Sequence, residues 1–84
     1  MNYTVEILRK AQKQLSRIER MDRERIIKAV ESLVDNPRPP GCKRLSGRPA
    51  WRIRIGPYRV IYEIQDARLL VLVVEIGHRR EVYR

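Results

Sequence analysis

The stretch that decides the fold is Trp51-Arg52-Ile53-Arg54-Ile55-Gly56-Pro57-Tyr58-Arg59-Val60-Ile61-Tyr62-Glu63-Ile64. Residues 51–55 alternate apolar and basic side chains, which is the pattern of a strand with one buried face. Gly56 and Pro57 predict a turn, and residues 58–64 predict a second strand. Successive side chains of a strand point to opposite faces, so a simple hairpin places Arg52, Arg54 and Arg59 together on the face away from the core. Three guanidinium groups on one open face predict an anion site, whereas a solvated polar face is the alternative.

The chain before this hairpin predicts a strand followed by two helices. Residues 2–7 alternate in polarity, and apolar side chains then recur every three or four residues from Leu8 to Ile18, as in an amphipathic helix. A second helix is predicted near residues 23–35, capped by Asp22 and stopped by Asn36-Pro37. The short link between them predicts an antiparallel helical hairpin.

The remaining segments complete an α+β domain. Residues 37–41 are rich in proline and predict a stiff surface connector, and residues 65–68 predict a turn. Residues 69–76 are nearly all apolar and predict a central strand that ends at Gly77. The predicted fold is a single domain over residues 1–84, in which an N-terminal strand, a helical hairpin and a three-stranded antiparallel meander form a four-stranded sheet with both helices on one face.

The composition points to a polyanionic partner. The 84 residues include 19 Lys and Arg against 10 Asp and Glu, for a net charge of +9. No apolar run is long enough to cross a membrane, and the first residues do not resemble a signal peptide, so a cytoplasmic protein without membrane contact is expected. Cys42 is the single cysteine and has no neighbours at metal-ligand spacing, so neither a metal nor another cofactor is expected.

The hairpin stretch and the ending Ile76-Gly77-His78-Arg79-Arg80-Glu81-Val82-Tyr83-Arg84 resemble the signatures of the RelE/ParE toxin superfamily. The Asn-Pro after the second helix and the Lys43-Arg44-Leu45-x-Gly47 step also fit. The resemblance to RelE-type mRNA interferases implies a fold like that of microbial ribonucleases. It implies a metal-independent endoribonuclease that cuts mRNA on the ribosome, by attack of the RNA 2′-hydroxyl on the neighbouring phosphate.

The same resemblance implies roles for individual residues. Arg52 and Arg54 would lie near the 2′-hydroxyl and the phosphate, and Arg59 would bind the scissile phosphate. Arg79 would serve the leaving oxygen, and Tyr83 would orient the RNA. The candidate catalytic residues are therefore Arg52, Arg54, Arg59, His78, Arg79 and Tyr83, and the candidate RNA-binding residues are Lys10, Lys13, Arg17, Lys43, Arg44 and Arg80.

The residues leave the general base open. A guanidinium keeps its proton at any ordinary pH, so Arg54 is a poor base. His78 is the only histidine, and an imidazole can exchange a proton near neutral pH, but the side chain could equally pack or contact phosphate. Tyr83 would need a lowered pKa, which nearby arginines favour. Glu63 and Glu75 are predicted as ion-pair partners of nearby arginines rather than as bases.

The resemblance also implies partners. These are an acidic, RelB-like antitoxin, the ribosome and mRNA, with operator DNA bound only through the antitoxin. Two alternatives remain: a ParE-like poison of DNA gyrase without ribonuclease activity, and a non-catalytic module that binds RNA or a protein through charge.

Overall fold

The described part of the chain forms two α-helices and a five-stranded mixed sheet, which confirms the predicted α+β class. The computed structural model describes residues 2–78. Its elements are β1 (Thr4–Ile7), α1 (Arg9–Ser16), α2 (Arg20–Ser32), β2 (Lys43–Arg44), β3 (Trp51–Ile55), β4 (Tyr58–Gln65), a short 3-10 helix (Asp66–Arg68) and β5 (Leu70–His78). Neither described helix is long and apolar enough to span a bilayer.

The sheet has the order β1-β5-β4-β3-β2, with β1 parallel to β5 and the other neighbours antiparallel. The predicted count of four strands is wrong because β2 adds an edge strand to β3. Strand β2 has only two residues, which are too few to show an alternating pattern of polarity, so the sequence does not predict it. The middle position belongs to β4, not to the apolar strand β5, and β5 runs past Gly77 to His78.

The second helix starts earlier than predicted. Its N-cap is Glu19, whose side chain accepts a hydrogen bond from the backbone nitrogen of Met21 at 3.2 Å, and Asp22 lies inside the first turn. The helix ends at Ser32, before the predicted residue 35. Aspartate is the commoner cap, so the sequence favoured Asp22, but the backbone is already helical there. Asn36 instead accepts a hydrogen bond from the nitrogen of Arg38 at 3.0 Å, which turns the chain into the connector.

The core lies between the helices and one face of the sheet. The helices contribute Ala11, Leu15, Ile26, Val30 and Leu33, and the strands contribute Ile53, Val60, Tyr62, Val71, Val73 and Ile76. Tyr62 is fully buried, as predicted, and Tyr58 and Trp51 are partly buried at the core edge. Burying this apolar set on one face leaves the opposite face of the sheet free for polar side chains.

Two polar contacts hold the connector against the sheet. The buried hydroxyl of Tyr62 donates a hydrogen bond to the carbonyl oxygen of Pro37 at 2.7 Å, and burial, more than the nearby Cys42, raises the pKa of Tyr62 well above its usual range. Arg38 donates two hydrogen bonds to the carboxylate of Asp66, at 3.2 and 2.9 Å, and its guanidinium lies 5.1 Å from the ring centroid of Trp51. The connector is therefore fixed at both the middle strand and the β4–β5 turn.

Replacing Tyr62 with Phe should lower the free energy of unfolding by about 1–2 kcal/mol, because the buried carbonyl of Pro37 loses its donor while the ring still fills the core. Urea denaturation followed by circular dichroism measures this loss. Tyr58→Phe, at a less buried tyrosine, is the matched control and should cost less. Equal losses in the two variants would show that the Tyr62–Pro37 hydrogen bond contributes nothing.

Asp66→Asn should reduce stability at neutral pH but not in strong acid. Hydrogen bonds from Arg38 and then from Tyr3 lower the pKa of Asp66 to about 2, below the ~3.9 of an unfolded chain. The carboxylate therefore stabilises the fold above pH ~4, and this contribution disappears as the pH falls toward 2. The side chain is more than half exposed, so the effect is small.

Melting temperatures of the two proteins between pH 2 and pH 7 measure this difference. Asp35→Asn removes another exposed carboxylate and should leave the acid profile of the wild type unchanged. A gap between wild type and Asp66→Asn that stays constant down to pH 2 would contradict the assignment.

Candidate functional site

Three arginines of the β3–β4 hairpin share the sheet face that points away from the helices. Arg54 is the register partner of Arg59, and Arg52 is the partner of Ile61. Directly paired residues of neighbouring strands lie on the same face. The register thus confirms that the three arginine side chains lie on one face of the hairpin. We call this surface the arginine face.

Cross-strand pairing defines two rows on the arginine face. The first row crosses four strands and consists of Lys43, Arg52, Ile61 and Glu75, and the second consists of Arg54, Arg59 and Gly77. Neighbouring strands are ~4.8 Å apart, so each row is a short line of adjacent side chains. Gly77 contributes no side chain beside Arg59. The arginine face is therefore cationic on β2, β3 and the start of β4, with one carboxylate at its β5 side.

The arginine face is more enclosed than the sequence predicted. Arg52 is 6% exposed and Arg59 is 9% exposed, and only Arg54 is open to solvent. Strand alternation predicts the direction of a side chain but not what surrounds it, so the expected open face was wrong for two of the three. Enclosed guanidinium groups have lost hydration, and an anion placed against them interacts more strongly than it would in water.

Glu75 forms an ion pair at the border of the arginine face. Its Oε1 lies 3.3 Å from the Nζ of Lys10 on α1, and its side chain is 19% exposed. The prediction that Glu75 has an ion-pair partner is confirmed, but the partner is a lysine and not an arginine. The residues of β5 around Glu75 are apolar, so the sequence did not predict which face of the sheet the Glu75 side chain lies on. The pairing of Glu75 with Ile61 places it on the same face as Ile61.

His78 lies on the other side of the sheet. It pairs with Tyr58, whose ring is edge-to-face with the imidazole at a centroid distance of 5.9 Å and an interplanar angle of 77°. Tyr58 precedes Arg59, so the two side chains point to opposite faces. The expectation that His78 joins the three arginines is therefore wrong for the described position. Because β5 continues beyond Gly77, alternation turns the next side chain toward the helices.

His78 and Tyr58 line a cleft of about 440 Å³ beside α1, together with Arg17, Gln14 and Ile18. The cleft forms where β1 has ended and α1 covers the free edge of β5. Gln14 marks this contact, since its Oε1 accepts a hydrogen bond from the backbone nitrogen of Ile76 at 2.8 Å. Arg17 therefore belongs to the same cleft as His78 and not to the arginine face.

The other predicted RNA-binding residues do not form one patch. Lys10 and Lys13 lie on the outer surface of α1, along with Arg17. Lys43 pairs with Arg52 and so joins the arginine face, whereas Arg44 pairs with Trp51 and lines a separate hollow beside Leu45 and Gly47. Arg79, Arg80 and Tyr83 lie outside the described residues.

The chemistry of the arginine face suits an anion. Within residues 2–78, no group of three or more histidine, cysteine or acidic side chains is arranged around a possible metal position. Guanidinium groups donate two parallel hydrogen bonds to phosphate or carboxylate oxygens, and two of them here are held in a largely enclosed position. The arginine face is therefore a candidate site for a single backbone phosphate.

Similarities to known proteins agree with this fold. A RelE-like toxin protein of Escherichia coli is 25% identical over 81 residues, which cover 94% of this chain and 85% of the relative. The structure of a RelE toxin mutant from E. coli in its free state superposes with a TM-score of 0.83 at 26% identity, over 99% of this chain and 92% of that one. The archaeal RelE–RelB complex of Pyrococcus horikoshii superposes with a TM-score of 0.84 at 24% identity, over 96% of this chain and 99% of the matched chain.

The sequence itself matches a family model over nearly its whole length. Residues 5–83 match the family described as the ParE toxin of the type II toxin–antitoxin system, parDE. The match runs from Val5 in β1 to Tyr83 and includes every strand that builds the arginine face. The chain therefore belongs to the ParE toxin family of type II toxin–antitoxin systems, within the RelE/ParE superfamily.

Proposed function

We propose that this toxin is a metal-independent endoribonuclease that cleaves mRNA on the ribosome. The observation that carries the proposal is the arginine face, on which Arg52 and Arg59 are nearly enclosed while Arg54 stays exposed. A merely solvated basic surface would leave all three guanidinium groups in water. Enclosed arginines with one open neighbour suit a ligand that brings its own negative charge.

RNA cleavage by an internal nucleophile needs this kind of charge. When the 2′-hydroxyl attacks phosphorus, the phosphorane gains negative charge on its oxygens, and fixed guanidinium groups stabilise that charge without reorganising. Arg59 and Arg52 take this role, and Arg54 holds an adjacent phosphate or ribose. The products are a 2′,3′-cyclic phosphate and a 5′-hydroxyl. The proposal also places Arg79 at the leaving oxygen and Tyr83 at the RNA. These two roles rest on the family resemblance alone.

The partners follow from charge and from the similar structures. The P. horikoshii structure is a complex of RelE with RelB, and similar toxin chains from E. coli were solved with RelB or with a RelB peptide. We propose an acidic antitoxin of this type, which folds over the basic surface, and a cytoplasmic site of action on ribosomes and mRNA. Operator DNA would be bound only through the antitoxin. Lys13 of α1 and Arg17, which caps the C-terminal end of α1, are among the basic residues proposed to contact ribosomal RNA phosphates.

A second candidate function is poisoning of DNA gyrase. The match to the ParE toxin family favours it. A poison would act as a protein ligand and would need no transition-state stabilisation. Supercoiling by gyrase in the presence and absence of the toxin separates the two functions. Inhibited supercoiling together with intact ribosomal message would support the gyrase function and overturn the ribonuclease.

The direct test mixes purified toxin with ribosomes programmed with a defined message. The ribonuclease proposal expects cleavage within the codon in the decoding site and a 5′-hydroxyl on the downstream fragment, detected by end labelling with and without prior phosphatase treatment. Chelators selective for transition metals, added while the Mg²⁺ that ribosomes require is kept constant, should leave the rate unchanged. Intact message at saturating toxin would contradict the proposal, and cleavage of free RNA at the same rate would contradict its dependence on the ribosome.

Arg59→Lys should lower the single-turnover cleavage rate by about 10²- to 10³-fold, because lysine keeps the positive charge but loses the two parallel hydrogen bonds to the phosphate. Keeping the charge also limits the cost to folding at a buried position. Lys13→Ala, on the exposed surface of α1, is the control and should lower the rate by less than about tenfold, with a shallower salt dependence. Equal losses in the two variants would remove Arg59 from the site.

A further inference from the structure

Within residues 2–78, the basic side chains of the arginine face cannot take the proton of the attacking 2′-hydroxyl. Arginine and lysine carry their protons at neutral pH, and His78 faces the helices, on the other side of the sheet. Resting on the proposed ribonuclease function, we propose that Glu75 is the general base that removes the proton of the attacking 2′-hydroxyl. This is a catalytic role beyond the ion pairing predicted from the sequence.

The position of Glu75 on the arginine face supports this role. Its register partner is Ile61, and the register partner of Arg59 is Gly77, two residues further along β5 on the same face. Glu75 is thus the diagonal cross-strand neighbour of Arg59, at a Cα distance of roughly 7–8 Å that long side chains can bridge. A phosphate bound by Arg59 would have its ribose within reach of the carboxylate, over the space that Gly77 leaves without a side chain.

The surroundings of Glu75 suit a proton acceptor. Its side chain is 19% exposed, so little water competes for it, and Lys10 of α1 holds Oε1 at 3.3 Å. The second carboxylate oxygen is the one available to a hydroxyl proton. Lys10 acts here as a positioning residue that fixes the orientation of the carboxylate. Among the described residues, the charged groups on the same side of the sheet as Glu75 are those of Lys10 from α1, Arg59 and Glu63 of β4, Arg52 and Arg54 of β3, and Lys43 of β2.

The step balances without any further reactant. Glu75 takes the proton of the 2′-hydroxyl as the 2′-oxygen forms a bond to phosphorus. The bond from phosphorus to the 5′-oxygen breaks, and the leaving oxygen takes a proton from water. Glu75 then returns its proton to solvent. The 2′,3′-cyclic phosphate and the 5′-hydroxyl are the products already expected.

The experiment compares Glu75→Gln with Glu63→Gln in the programmed-ribosome assay. Glu63 lies on the same face of β4, two residues beyond Ile61, so its substitution removes the same charge farther from Arg59. Glu75→Gln should lower single-turnover cleavage by about 10²- to 10⁴-fold, the usual contribution of a general base, and Glu63→Gln by less than about threefold.

Two further measurements separate catalysis from a structural role. Ribosome binding and melting temperature of Glu75→Gln should stay close to those of the wild type. Glu75→Asp keeps a carboxylate and should cleave at least about tenfold faster than Glu75→Gln, which a purely structural glutamate would not do.

The outcomes are distinct for the two proposals. If the wild type cuts the message and the cleavage rate of Glu75→Gln is within a few-fold of the wild-type rate, the inference is overturned and the ribonuclease function stands. Activity lost equally in Glu75→Asp and Glu75→Gln, or lost together with ribosome binding, also overturns the inference. A wild type that leaves the message intact overturns both.

Discussion

The register of the β3–β4 hairpin is the constraint on which the rest of the structure depends. A two-residue turn joins the strands, and Gly56 at its first position has a φ of +57°, followed by a proline whose φ is fixed near −65°. This is the arrangement of a type II′ turn, which matches the twist of paired strands. With that register, Ile53 and Val60 meet in the core while Arg54 and Arg59 meet on the other face. A slip of one residue would exchange the two sets and bury the charges against the helices.

The arginine face concentrates like charges, whose repulsion and lost hydration other interactions must offset. Arg54 and Arg59 are direct cross-strand partners of like charge, an arrangement that destabilises a sheet, and two of the three guanidinium groups are largely removed from water. In our proposal, this surface binds an anion, either an RNA phosphate or the carboxylates of an acidic antitoxin. The same charges therefore explain, under our proposal, both the activity of the toxin and its neutralisation by a partner.

The sequence was sufficient where alternation and local chemistry decide the structure, and insufficient where tertiary contacts decide it. The common face of Arg52, Arg54 and Arg59 follows from period-two alternation and a short turn. Local patterns do not predict the cap at Glu19, the edge strand β2 or the enclosure of Arg59, because each of these features depends on contacts with other parts of the chain. His78 was assigned to the wrong side because β5 was expected to end at Gly77. The position of Glu75 next to the arginines depends on the register of β4 and β5, which no local sequence pattern predicts.

The central claim is that the arginine face, and not the cleft around His78, holds the RNA backbone. Solution NMR tests it most directly, by following the side-chain signals of Arg52, Arg59 and His78 during titration with a 2′-deoxy dinucleotide that cannot be cleaved. The account predicts that the Nε–Hε signals of both arginines shift together and saturate while the imidazole signals stay nearly fixed. Saturating shifts at His78 and Arg17, with the signals of Arg52 and Arg59 unmoved, would contradict it.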